Sequence, residues 1–413
     1  MRALVTADSG LIGRLNRWAP VGVSVLAAVS VSAWIASRAP LGLDYPTYDA
    51  GPSIRALIEG DLDAFLKRQP LMGIFSLLLR APFAALARFG DGSELLVYRL
   101  GAFPCLLAAS LLGVGLFHLM GQRGQNLPSR VVVAGVCVLN PMTFNALAAG
   151  HPEELLAGAM CVGAVLLAIR GRAASAAVVL GLALATKQWT VVAFLPVLIA
   201  APVHRVRVAV GAVLIAAVLW APYVIADSTR FVAVTKSTLT VGANIPPTNV
   251  WWPLTTRTER TVFDGVEYVR VPIYSLPPAL YGVTHPLIVL LPIPLSYLYW
   301  RRRRFRLPED ALGLLALLFL LRCALDPVNT GYYHVPLILA LAGWEGMRRK
   351  GLPLVTMLTA LALWLTYTQV APPNMGPAVA YAFYLAWTVP LAVLLGVLVL
   401  GGERRARTEK RRA

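Results

Sequence analysis

Apolar stretches recur along the whole chain, each close to the 17–25 residues that a helix needs to cross a bilayer core. That succession constrains the fold more than any single motif, because so much apolar surface cannot be hidden inside a water-soluble globule of this size. Composition agrees: 58% of the 413 residues are hydrophobic and only 14% are charged. Mean hydropathy is +0.68, and a soluble domain carries about 25% charged residues. The chain reads as an all-α polytopic membrane protein, one domain over residues 1–413, located in the cell membrane. Cys105, Cys137, Cys161 and Cys323 fall in apolar stretches at unrelated spacings, as small core residues do, and not as a disulfide framework or a metal site.

The formal net charge of +17 would suit a nucleic-acid binder if the basic residues shared a soluble face. They lie instead in runs between apolar segments: Arg14 and Arg17, Arg170 and Arg172, Arg205 and Arg207, Arg301 to Arg304 with Arg306, Arg348 to Lys350, and the tail from Arg404 to Arg412. Placing all of them in the cytoplasm satisfies the positive-inside rule and accounts for the whole excess, so no nucleic-acid partner is expected. Both termini are then cytoplasmic. The first span resembles a signal peptide in outline. Its apolar core is longer than a signal's and no small-residue cleavage site follows, so it is read as uncleaved.

On this parity about twelve spans are expected, over 20–37, 96–120, 130–149, 155–169, 173–186, 190–202, 208–226, 278–300, 311–325, 335–347, 352–370 and 378–400. The apolar run 71–89 is interrupted by Arg80, Pro82 and Arg88. Counting it as a span would put the Arg170 and Arg205 loops outside. It is therefore assigned to the membrane surface, with its arginines in the headgroup layer. The first external loop, 39–95, then holds two interfacial helices, the first near 52–60. In the external loop 227–277, Asp264-Gly265 stands between β-prone runs in the pattern of a tight hairpin, read as a small lid. The short apolar stretches on either side of Lys187 read as half-depth helices meeting at a polar apex.

Chemistry-bearing residues concentrate on the external side. Asp44 follows the first span between Leu43 and Tyr45, with Tyr48 close behind. A carboxylate at the bilayer edge is a functional-site candidate by position, and partial burial there would suit a general base. Asp49, Glu59, Asp61 and Asp63 read as solvated loop residues. His151, Glu153 and Glu154 open the span after Gly150, either as first-turn residues favoured by the helix dipole or as a polar wall of the site. Lys187 suits a phosphate as a point charge, or snorkels. Asn329, Tyr332, Tyr333 and His334 bring an amide, two aromatics and an imidazole to one loop, where tyrosines stack on sugars and a ring N–H meets phosphate. Asn249, Trp251 and Trp252 form a stiff aromatic loop, a carbohydrate platform or an interfacial belt.

Several of these features together resemble the GT-C glycosyltransferases, and among them the polyprenol-phosphate-mannose-dependent mannosyltransferases of actinobacteria. The aspartate after the first helix, Gln69-Pro70-Leu71, Arg99, the run ending Ala185-Thr186-Lys187 and Tyr332-Tyr333-His334-Val335-Pro336 carry the likeness. His151-Pro152-Glu153-Glu154 departs from it where a Gln/Asn-type motif is expected. The resemblance implies a GT-C helical bundle with its active site on the extracytoplasmic face. It also implies inverting transfer of a sugar, mannose by preference, from a polyprenyl-phosphate donor to a lipid-linked or glycan acceptor. Asp44 would be the base, with His334, Lys187 and Arg99 at the donor phosphate. Tyr45, Tyr48, His151, Glu153, Glu154, Asn249, Trp251, Trp252, Asn329, Tyr332 and Tyr333 would line the substrates. No nucleotide fingerprint is present; no cofactor and no metal is expected, and the chain is read as a monomer among membrane lipids. The alternative is a transporter or flippase, whose internal repeats and midplane polar sites are not visible here.

The topology has a direct check. Single cysteines introduced into the 227–277 loop of a cysteine-free chain should react with a membrane-impermeant maleimide on intact cells; labelling only after permeabilisation would reverse the assignment.

Overall fold

The computed structural model describes residues 2–47, 50–70, 72–239, 244–263, 268–302, 307–371 and 374–401. The expectations for Tyr48, Asp49, Leu71, the Asp264-Gly265 turn, Arg303, Arg304, Arg306 and the tail from Arg404 lie outside them. The chain begins with α1 (Arg2–Arg38) and then folds the first loop as α2 (Gly51–Glu59), α3 (Leu62–Arg68) and α4 (Ile74–Ala84). There follow α5 (Glu94–Gln122), α6 (Leu127–Leu139), α7 (Pro141–Ala149), α8 (Glu153–Ile169) and α9 (Ala173–Leu184). After a 3-10 turn, Gln188–Ala193, come α10 (Phe194–Ala200), α11 (Arg205–Ala226) and α12 (Ser228–Leu239). The strands β1 (Thr256–Phe263) and β2 (Tyr268–Ser275) precede α13 (Pro278–Tyr281), α14 (Thr284–Leu290), α15 (Pro292–Arg301) and α16 (Asp310–Leu325). The last helices are α17 (Val335–Arg348), α18 (Leu354–Trp364), continued by a π-helical turn Leu365–Val370, and α19 (Pro377–Leu400).

Helix is found in each stretch expected to span. Among the described residues, six segments are long and apolar enough to cross a membrane: Ala19–Arg38, Glu94–Gln122, Leu127–Ala149, Arg205–Ala226, Pro278–Arg301 and Pro377–Leu400. The other expected spans are shorter helices. Those of α8, α16 and α17 are buried on nearly every side, as helices at the centre of a bundle are. The outer helices are the reverse. Val210, Val213, Leu214 and Val218 of α11, and Val389, Val393 and Val397 of α19, expose apolar stripes at helical spacing. Such stripes suit contact with lipid.

The first loop contains three helices, not two. The acidic stretch read as solvated loop instead starts α3, because the Asp61 carboxylate accepts from the Ala64 backbone N–H at 2.9 Å and Lys67 and Arg68 close its last turn. Phe65 then packs on Tyr223 of α11 at 5.5 Å between rings. α4 has 11 residues, about 16 Å of helix, too short for a core of about 30 Å. Its polar face is not turned to headgroups as expected: Arg80 is fully buried. The expected hairpin is present as antiparallel β1 and β2, with Val262 opposite Val269 and Phe263 opposite Tyr268. All four cysteines are free and buried.

Two close backbone approaches fix the loops beside the bundle. The N–H groups of Leu43 and Asp44 donate to the carbonyls of Ala148 and Ala149, both at 3.0 Å. Those of Gly73 and Phe75 donate to Thr186 and Ala185 at 2.8 and 3.0 Å. Glycine is required at each crossing, since a Cβ on Gly42 would lie 2.2 Å from the Gly150 Cα and one on Gly73 would lie 2.0 Å from the Ala185 oxygen. Gly42→Ala and Gly73→Ala should each cost about 1–3 kcal/mol or more, read as a lowered thermal unfolding midpoint in detergent. Gly115→Ala, whose Cβ meets nothing within 4 Å, should leave the midpoint unchanged or raise it.

Candidate active site

Asp44 reaches its position by elimination of alternatives. α1 ends at Arg38, the Arg99 Nε–H donates to the Ala39 carbonyl at 2.9 Å, and the chain then runs beside the end of α7. Tyr45 turns inward, 1% exposed, with its ring 4.8 Å from Tyr98 and beneath the Arg80 guanidinium at 5.6 Å. Its neighbour Asp44 therefore points out, with 53% of the side chain exposed. α7 ends at Gly150 in the left-handed region, φ 104°, which reverses the chain into His151-Pro152 and starts α8 at Glu153. The two acids of the first turn of α8 thus arrive directly beneath Asp44.

A continuous chain of polar contacts runs inward from there. Asp44 Oδ2 lies 3.1 Å from His151 Nε2, and His151 Nδ1 lies 3.1 Å from Glu153 Oε1. Only a doubly protonated ring donates to both carboxylates at once. The His151 ring also stacks on Tyr332 at 4.5 Å. Glu153 is fully buried and meets Lys187 Nζ at 2.9 Å through Oε1 and Arg80 Nη1 at 3.2 Å through Oε2. Burial pushes its carboxyl up, but Lys187, His151 and Arg80 outweigh burial and hold it well below the usual carboxylate range. Glu154 accepts from Trp189 Nε1 at 3.1 Å and lies 3.6 Å from Lys187 and 3.8 Å from Arg322. Arg322 sits over the rings of Trp189 at 4.6 Å and Tyr333 at 4.3 Å and donates to the Tyr333 carbonyl at 2.9 Å. The two buried carboxylates, Glu153 and Glu154, are thereby met by three permanent cations, Arg80, Lys187 and Arg322, while Asp44 meets His151.

Above this network lies a cavity of about 510 Å³, within the range of small-molecule sites. Asp44 borders it, with Asn145 and Ala149 of α7 on one wall and Thr248, Asn329, Thr330, Tyr332 and Tyr367 on others. Tyr367 is presented by the π-helical turn, a distortion frequent at functional sites. The loop before β1 is fastened to the turn after α16 by two asparagines. Asn249 Nδ2 donates to the carbonyls of Asp326 and Pro327 at 2.6 and 3.0 Å, and Asn329 Nδ2 donates to that of Thr248 at 2.9 Å.

The expected site residues therefore divide. Asp44, His151, Glu153, Glu154 and Lys187 come together, and Asn329 and Tyr332 join them at the cavity. Tyr45 is a buried wedge. Arg99 holds the end of α1. Asn249 is a staple, Trp251 donates its indole N–H to the Leu325 carbonyl at 2.8 Å, and Trp252 packs on Tyr274 and Tyr381, so none of the three faces the cavity as a platform. Tyr333 covers Arg322. His334 does not share a group with Lys187: it is fully buried beside Tyr367, Tyr384 and Trp387. Burial, chiefly, pushes its pKa down to about 3. The neutral ring donates through Nδ1 to the carbonyls of Thr330 and Gly331 at 3.3 and 3.2 Å, which leaves Nε2 a lone pair and no N–H for a phosphate.

The sequence reading placed Arg80 in the headgroup layer and singled out nothing at Arg322, although each interrupts an apolar run. That was the available signal, because an ionisable residue in such a run is kept only with a partner. Asn145, Thr248, Thr330 and Tyr367 carry no comparable signal. The chain matches no protein-family model and no curated protein sequence.

Breaking the innermost pair has a defined cost. Arg80→Met leaves Glu153 short of a buried counter-charge and should destabilise the fold by about 3–5 kcal/mol. Arg80→Met combined with Glu153→Gln should recover part of that loss, measured as thermal unfolding midpoints of the three variants and wild type in one detergent.

Proposed function

We propose that the chain is a membrane glycosyltransferase that moves a sugar, mannose by resemblance, from a polyprenyl-phosphate donor to a hydroxyl of a lipid-linked or cell-envelope glycan. The observation that carries this reading is the Asp44 carboxylate, held by His151 at the edge of a polar-walled cavity large enough for a sugar ring. In the proposed orientation about twelve helices span the bilayer and this cavity opens on the extracytoplasmic face, opposite the arginine-rich loops.

Asp44 takes the proton of the acceptor hydroxyl as that oxygen attacks the anomeric carbon from the face opposite the leaving phosphate, so configuration inverts. A base in this role contributes about 10²- to 10⁴-fold. His151 fixes the carboxylate's direction, and Glu153 in turn fixes His151. The leaving lipid phosphate gains charge as the bond breaks, and a cation beside it lowers the barrier. Lys187, which lies between Glu153 and Glu154 and keeps 13% exposure, is the residue assigned to that part. Asn145, Asn329 and Thr330 supply the amide and hydroxyl groups that a neutral sugar's hydroxyls need.

The same buried charges also favour a second reading, transport, because intramembrane ion networks line substrate and proton paths. One experiment separates the two. Asp44→Asn keeps the shape of the side chain but cannot accept the proton, so transfer from radiolabelled polyprenyl-phosphate mannose to a lipid extract should fall at least about 10²-fold. Folded yield should stay normal. Glu59→Gln, on an exposed turn of α2, should transfer as wild type. Near-wild-type turnover in Asp44→Asn would overturn the catalytic role and leave the transporter reading standing.

A further inference from the structure

The bundle has a second cavity, of about 410 Å³, at the end opposite Asp44. α8 carries the separation: Glu153 begins this 17-residue helix in the acidic network and Ile169, a wall of the second cavity, ends it, roughly 24 Å away. The α8–α9, α10–α11 and α15–α16 connections converge here, and Ile169, Ala173, Ile199, His204, Arg205 and Leu307 line the space.

Arg205 gives the cavity its chemistry. Its Nε–H donates to the Leu198 carbonyl at 3.2 Å, which orients the guanidinium. Its Nη2 is buried with no hydrogen-bond partner among the described residues. The carboxylates on the adjoining wall are already engaged, Glu309 by Arg123 and Asp310 by Arg348 at 2.9 Å. Arg170, Arg172 and Arg207 stand exposed on the same connections and raise the positive potential. The rim is apolar and open, with Val203 83%, Val206 76% and Leu307 47% exposed.

We infer that this cavity binds an anionic phospholipid, its phosphate against Arg205 and an acyl chain along Ile199 and Leu307. A half-buried guanidinium whose buried Nη2 has no partner among the described residues seeks an oxyanion. A free phosphate would leave its remaining oxygens facing apolar walls, whereas a phosphodiester brings the apolar chain those walls accept. A zwitterionic lipid carries its own cation to the headgroup and gains less. The inference is independent of the glycosyltransfer reading.

The test uses the purified full-length chain in detergent micelles doped with phosphatidylglycerol or phosphatidylcholine, with bound lipid counted by native mass spectrometry and stability followed as the thermal unfolding midpoint. Wild type should retain phosphatidylglycerol about tenfold over phosphatidylcholine, as one charge-assisted contact provides. Arg205→Gln should lose the preference, and Ile199→Trp, which fills the apolar part and keeps the arginine, should lose phosphatidylglycerol itself. Arg207→Gln should behave as wild type. If Arg205→Gln does not fold, Ile199→Trp decides. Equal retention of both lipids by wild type, or a preference that survives in Arg205→Gln or Ile199→Trp, would overturn the inference. So would stabilisation by millimolar inorganic phosphate alone equal to that by phosphatidylglycerol, which would make the site one for a free anion.

Discussion

Glu153 is the residue on which the rest of the site depends. An ionised carboxylate with no exposure is tolerable only if opposite charge and hydrogen bonds replace the water it has lost. Here they arrive from four separate places: Arg80 from the first loop, His151 from the turn before α8, Lys187 from the turn after α9, and the helix dipole of α8 itself. Each partner must be held to within a few tenths of an ångström for the compensation to work. The demand is thus a constraint on the packing of α4, α8 and α9 together, and its satisfaction ties the first loop to the centre of the bundle.

The backbone is arranged to meet that demand. Glycines at positions 42, 73 and 150 let chain segments cross at van der Waals distance, and two pairs of backbone hydrogen bonds pin the Asp44 loop and the start of α4 to α7 and to the turn at Lys187. With those crossings fixed, the inward turn of Tyr45 forces the outward turn of Asp44. Rigidity around the carboxylate is therefore a by-product of burying the charges beneath it. A carboxylate on a floppy loop would sample many orientations, whereas one held by a histidine that is itself clamped between a carboxylate and the Tyr332 ring samples few.

The two ends of the molecule differ in how they treat arginine. At the Asp44 end the buried arginines, Arg80 and Arg322, are matched to acids and capped by aromatic rings. At the other end most of the described arginines stand in the open, and Arg205 lines an apolar cavity with no acid paired to it among the described residues. One end is balanced internally beneath a polar-walled cavity. The other leaves positive charge for whatever surrounds it, which for a helix bundle with apolar outer stripes is lipid.

Much of the fold was legible because it rests on local properties. Apolar length marks a membrane helix wherever it occurs, and so the helical stretches and their order follow from hydropathy alone. The placement of Asp44 after the first helix and of Glu153 and Glu154 at a helix start is likewise a matter of adjacent residues. Short helices are harder: the acids of α3 suit a solvated surface equally well in a loop, and only the structure shows Asp61 capping a helix. The partner choices were not legible at all. Arg80 and Glu153 are 73 positions apart, and whether an arginine in an apolar run faces headgroups or a buried acid depends on the rotation of its helix, which only packing sets. The same holds for His334, whose sequence neighbours suit a phosphate site but whose ring the fold seals behind Tyr384 and Trp387. Sequence by itself determined that the chain is a helical membrane protein with an acid poised after its first helix. Tertiary structure alone decided which charges are neutralised and which remain free to act, because a charge's role is fixed by what lies within a few ångströms of it in space.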